Sequence, residues 1–109
     1  MNVRRFSIAG VLALLVLGSA PVGAEGDAAA GSLKNAMCQG CHGIEGFRIA
    51  YPTVYSVPML GGQSAPYLAA ALKAYRSGDR NNSTMRAIAV GLTDQDIDDL
   101  AAYYSSKAR

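Results

Sequence analysis

The chain contains no tryptophan, one histidine, two cysteines and four prolines among 109 residues. Two cysteines exclude a disulfide-dense scaffold, and the three Cys and His side chains together fall short of the four ligands of an ordinary structural zinc module. Charge is scarce as well: 17% of residues are Asp, Glu, Lys or Arg, and the formal net charge is +2. So small and scattered a charge lacks the footprint of a nucleic-acid-binding protein. Half of the residues are hydrophobic, which excludes a disordered chain. No stretch alternates as a half-buried strand does, and no nucleophile, general acid or phosphate-cradling glycine loop stands out. The length suits one small domain.

The first 24 residues stand apart. Arg4 and Arg5 are followed by no charge until Glu25, an apolar core runs from Ile8 to Leu17, and Gly18, Ser19 and Pro21 break it before the small-residue stretch Val22-Gly23-Ala24. A basic start, a short apolar core and a small-residue cleavage site read as a secretory signal peptide over residues 1–24, with the folded domain over 25–109. The alternative is an uncleaved anchor, since Phe6 to Ala24 is just long enough to graze a membrane span. Cleavage would remove two of the ten basic side chains, leaving eight against eight acidic ones in an 85-residue mature chain. A domain that small buries a modest core and often leans on a disulfide, a metal or a cofactor.

Helical spacing dominates the rest. Ala28 to Gln39 predicts one helix with Leu33, Ala36 and Met37 on a face. Gly43 to Gln63, punctuated by Gly46, Pro52, Pro58, Gly61 and Gly62, predicts a long loop. Ser64 caps a helix that has Pro66 in its first turn, Leu68, Ala71, Leu72 and Tyr75 on one face, and Gly78 as its stop. Asn82 or Ser83 starts a short helix through Met85, Ile88 and Ala89, ended by Gly91. The last helix begins at Thr93 with Asp96 three residues on, and Asp94, Asp98 and Asp99 lie toward the positive end of its dipole. Ile97, Leu100, Ala101 and Tyr104 make its apolar stripe, with Lys107 and Arg109 beyond. A loop of some twenty residues in so small a domain needs something to wrap around.

Cys38-Gln39-Gly40-Cys41-His42 supplies it. On a helical turn, positions i, i+3 and i+4 project from one side, so Cys38 and Cys41 can form thioethers with the vinyl groups of a haem while His42 reaches its iron. This spacing is the attachment signature of c-type haem. A disulfide between the cysteines gives no reason for His42 to follow them, and a thioredoxin-like redox pair would need a βαβ context that is missing. A haem also supplies the missing core and a body for the long loop. The sixth iron position decides its use: a thioether there favours electron transfer, an open one ligand binding. Met37 adjoins Cys38 and cannot reach the opposite face; Met59 and Met85 are both far enough along the chain.

Taken together, several segments resemble a class I cytochrome c. They are Gly31, the stretch Cys38–Gly43, Pro58-Met59-Leu60-Gly61-Gly62-Gln63, Tyr67-Leu68, Arg76–Arg80, Met85–Ala89, and Leu92–Ile97 continuing through Leu100–Tyr104. The likeness is nearest to small bacterial monohaem cytochromes of the c553 kind and to one haem domain of the dihaem c4 kind. It implies an all-α fold, about four helices wrapped around one covalently attached haem c, with Cys38 and Cys41 as attachment points and His42 and Met85 as axial ligands. It also implies a backbone carbonyl from Pro52 or Pro58 on the free nitrogen of His42, and a close approach of the first helix, at Gly31, to the Leu100/Tyr104 face of the last. Arg48, Arg80, Arg86, Tyr55 and Gln63 are candidates to hold the haem propionates.

The function so implied is one-electron transfer in the periplasm, with no catalysis of its own. The expected partners are transient redox proteins met at a small docking patch, to which Tyr51 and Tyr55 could contribute. Nucleic acid is not expected as a partner, nor is membrane insertion of the mature chain unless the signal is kept. Two other readings stay open. One is a permanent haem subunit of a periplasmic dehydrogenase, such as a flavocytochrome sulfide dehydrogenase, in place of a monomeric carrier. The other is a haem gas sensor or peroxidase in which Met85 does not bind.

Overall fold

A computed structural model describes residues 25–108, so the signal-peptide reading of residues 1–24 lies outside the described residues. The order of elements is α1 (Ala28–Lys34), α2 (Ala36–His42), β1 (Arg48–Ile49), β2 (Tyr55–Ser56), α3 (Ala65–Ser77), α4 (Ser83–Ala89) and α5 (Asp94–Ser105). The chain is therefore mainly helical, with α1 packed on α5, α5 on α3, and α3 on α4.

The helix starts follow local chemistry. Asp27 accepts hydrogen bonds from the N–H groups of Ala29 and Ala30, Ser64 from that of Tyr67, and Asn82 from that of Met85. Thr93 and Asp96 form a reciprocal capping box at the start of α5, which satisfies two N–H groups that a helix end otherwise leaves open. Gly78 ends α3 in the left-handed conformation, φ +88°, which a side chain rarely tolerates.

Several expectations need correction. The single helix over Ala28–Gln39 is two helices, broken at Asn35 and prolonged to His42. Asn35 is a weak helix former and is buried at 6% exposure; its carbonyl accepts from both Cys38 and Gln39, restarting the helix. Leu33 and Met37, read at helical spacing on that one helix, fall on separate helices and are 87% and 69% exposed, Met37 beside a cavity between the helices. The long loop also contains strands: β1 and β2 pair antiparallel, with Arg48 opposite Ser56 and Ile49 opposite Tyr55. Two residues a side are too few for any alternation to mark them in the sequence.

The crossing of α1 and α5 is tight at Gly31, where a Cβ would lie 2.1 Å from the carbonyl oxygen of Asp99 and 2.7 Å from Cβ of Tyr103. The close approach is therefore made to the Asp99/Tyr103 side of α5, and not to the expected Leu100/Tyr104 side. Asp99 itself, expected as a dipole charge, is only 3% exposed. It accepts from the main-chain N–H of Asp27 and from Gln95, and pairs with Lys34 at 2.6 Å. Lys34 reaches Asp96 as well, at 2.8 Å. The buried apolar residues among those described are only Leu68, Ala89, Ile97, Leu100 and Ala101.

Candidate functional site

The thin core is explained by what lies beside it. A cavity of about 450 Å³ opens between the helices, within the range of small-molecule and cofactor sites. Leu68, Leu72, Ile88 and Leu100 turn apolar side chains toward it from α3, α4 and α5, while Ile49, Val57 and Leu60 close it from the loop. Much of the sequence's hydrophobic content thus faces a space rather than other side chains.

Cys38, Cys41 and His42 all line this cavity, brought to one wall by the helical turn of α2. The two cysteines are not joined to each other, and burial raises the Cys38 thiol above its ordinary value. Nδ1 of His42 lies 2.6 Å from the carbonyl oxygen of Pro58. A carbonyl only accepts, so Nδ1 carries the hydrogen and Nε2 presents its lone pair. Of the two prolines that sequence left open, the structure brings Pro58 to His42; Pro52 is exposed and is not part of the cavity wall.

Met85 lines the cavity from the first turn of α4 and is half-buried. Met59 also touches the cavity, but it is 56% exposed and follows Pro58, the residue hydrogen-bonded to His42. It is thus joined directly to the residue that engages His42. Tyr55, Gln63 and Arg80 reach the cavity too. Tyr55 donates to Oγ1 of Thr84 at 3.3 Å, and the Arg80 guanidinium stacks over the Tyr75 ring, 4.8 Å from its centroid. Arg48 and Arg86 are not brought to the cavity. Arg48 lies exposed on β1, and Arg86 folds over Gly78, its Nη1 standing 2.2 Å from where a Cβ would sit. Tyr51 is 87% exposed.

Two features of the wall go beyond the capping and packing roles that sequence assigned to Asn82 and Tyr104. Asn82 and Thr84 line it on either side of Ser83; the only sequence signal was the capping preference of an Asn three residues before Met85. Tyr104 lines it as well, and among the described residues its buried hydroxyl has no hydrogen-bond partner. Burial first, then the nearby Cys38 and Tyr103, push its pKa up to about 12; the Asn35 side chain offsets a little of this without reaching hydrogen-bonding geometry.

These residues fit a haem. Two thiols and an imidazole with a free nitrogen come from α2, a thioether from α4, the lining is mainly apolar, and a buried phenol without a partner is part of it. No helix among the described residues is long and apolar enough to cross a membrane.

Comparison with known proteins gives the same answer. The family described as Cytochrome c matches residues 28–107. The chain is 51% identical over 85 residues to cytochrome c-554(548) of Halomonas halodenitrificans, covering 75% of this chain and 98% of that one. It is 39% identical over 84 residues to cytochrome c4 of Pseudomonas aeruginosa, of which it spans 40%. A crystal structure of reduced recombinant cytochrome c4 from Pseudomonas stutzeri superposes with a TM-score of 0.61 at 36% identity, over 76% of this chain and 46% of that one.

Proposed function

The chain belongs to the cytochrome c family, haem c proteins that carry electrons rather than catalyse, and from that premise we propose how its residues hold the haem and what it serves. Cys38 and Cys41 would hold the group covalently, and His42 and Met85 would be the ligands to its iron. The bound haem supplies a one-electron iron couple whose potential a thioether ligand raises.

The protein's part is to hold the coordination unchanged while the electron comes and goes. Pro58 fixes the His42 ring and tautomer and makes its free nitrogen a better donor. Met85, on α4, would supply the second ligand, so that no ligand would need to enter or leave. The apolar residues of α3, α4 and α5 keep water from the ring. The observation that carries the reading is the meeting in one apolar cavity of Cys38, Cys41 and a Pro58-bound His42 with Met85.

The finer context follows from the same premise. The site of action is the periplasm, reached by the signal over residues 1–24, and the partners are redox proteins met transiently. Gln63 and Arg80 line the cavity and would be the donors to the haem propionates; the Tyr55 hydroxyl already gives its proton to Thr84, and Arg48 and Arg86 are not among the lining residues. The test is an absorption spectrum of the matured ferrous protein before and after carbon monoxide. An unchanged spectrum, with prompt binding in Met85→Ala, is the expected result. Prompt binding by the parent would mean an open distal face and a sensor or enzyme instead.

A further inference from the structure

Met85 sits in a turn that has little to hold it. The helix α4 has seven residues, too few to be stable alone. Ser83, Thr84, Arg86 and Ala87 are exposed, and only Ala89 is fully buried. Two side chains of the cavity wall, from separate segments, hold this turn. From the N-terminal end, Oδ1 of Asn82 accepts from the main-chain N–H of Met85 itself at 2.9 Å. From the loop, Oη of Tyr55 donates to Oγ1 of Thr84, the neighbour of Met85, at 3.3 Å.

Tyr55 lies on β2, three residues before the Pro58 that engages His42. One loop therefore touches both walls, at His42 through Pro58 and beside Met85 through Tyr55. We propose that Asn82 and Tyr55 are positioning residues that clamp the Met85 turn and set how readily Met85 lets go of the iron. The proposal rests on the axial role given to Met85 above. Its physical basis is that the Asn82 acceptor is bound to the main chain of the ligand residue, so whatever loosens that bond moves the thioether directly. A helix cap elsewhere stabilises the fold without that lever.

The experiment measures the rate of carbon monoxide binding to the matured ferrous protein, together with the thioether–iron absorption of the ferric form. If Met85 must leave before the gas binds, the rate follows the population of the released turn. Asn82→Ala should then bind about fivefold faster, the equilibrium effect of losing one cap. Asn82→Asp, which keeps the acceptor, should return to the parental rate, and Tyr55→Phe should be faster by about twofold. Thr93→Ala removes a comparable cap from α5 and should leave the rate unchanged. Equal rates for Asn82→Ala and Thr93→Ala overturn the proposal. Should Asn82→Ala fail to mature, a parental rate in Tyr55→Phe overturns it instead. Met85→Ala separates this from the reading beneath: if that variant binds no faster than the parent, the axial assignment has failed, whereas fast binding there with an unchanged Asn82→Ala rate sinks only the clamp.

Discussion

A Cβ on Gly31 would meet the backbone of Asp99 at 2.1 Å, whereas one on Gly40 meets nothing within 4 Å. Two helical glycines nine positions apart thus answer to different demands, one to packing and the other to none. Gly31→Ala should destabilise the protein by about 1–3 kcal/mol, because neither partner is a flexible side-chain tip that could yield. Gly40→Ala should be neutral or more stable by up to about 1 kcal/mol, alanine being the better helix former. Urea unfolding of the two haem-loaded variants checks both. The sequence marked Gly31 through its resemblance, but the opposing surface was placed one position off on α5. Which side of a helix meets a glycine depends on the rotation of both helices, and that is set by packing.

At the scale of elements, α1 is fastened to α5 by the Lys34–Asp99–Asp96 group as well as by close packing. Hydrogen bonding to Lys34, then to the Asp27 N–H and Gln95, lowers the Asp99 carboxyl from 3.8 to about 2. Lys34, followed by the N–H and hydroxyl of Thr93, does the same for Asp96. Both carboxyls have folded pKa values below their unfolded ones, so their contribution is complete above about pH 4 and is lost as pH falls toward about 2. Lys34 is raised above 10.5, by Asp96 first and then Asp99. Its contribution is complete below 10.5 and disappears as pH rises through the folded value. Asp99→Asn keeps an acceptor for the Asp27 N–H but loses the charge, so its stability should vary less with pH on the acid side. Urea midpoints between about pH 2 and 7 test this; an acid limb as steep as the parent's would contradict it. Separately, Thr93→Ala should cost about 1 kcal/mol by opening the capping box. The caps at Asn82, Ser64 and Thr93 were legible because a cap is a local bargain between one side chain and nearby N–H groups. The ion cluster was not, since Lys34 and Asp99 are distant in sequence and meet only when α1 crosses α5.

For the whole molecule, the decisive fact is how little of its apolar content is spent on itself. Five apolar residues are buried among those described, and apolar side chains from α3, α4 and α5 line a cavity of about 450 Å³. A domain of this size has only a marginal core even when well filled. The chain without its haem, prepared as Cys38→Ala/Cys41→Ala, should therefore keep some helix but lose cooperative thermal unfolding and fixed aromatic packing. Far- and near-ultraviolet circular dichroism across a melt would check this, and a sharp transition in the haem-free chain would contradict it. The long loop between α2 and α3 belongs to the same account. Its carbonyl at Pro58 meets His42, and the N–H of Gly62 meets the carbonyl of Tyr104 at 3.1 Å, so it closes over the cavity and ties back to α5.

The Cys38-Gln39-Gly40-Cys41-His42 run, the helical class and the need for a bound group could be read without a structure. Each depends on residues adjacent in sequence or on a period of 3.6, and the physics of one turn is local. The resemblance extended that reading to Met85. The tertiary structure decided what lies apart along the chain: that Pro58 rather than Pro52 meets His42, that Met59 is left largely exposed, that Arg86 folds over Gly78, and that Asp99 is a buried hub. Those outcomes depend on the directions in which separate helices and a long loop come together. Many folded arrangements would satisfy the same local pattern, and only packing around one shared cavity selects among them.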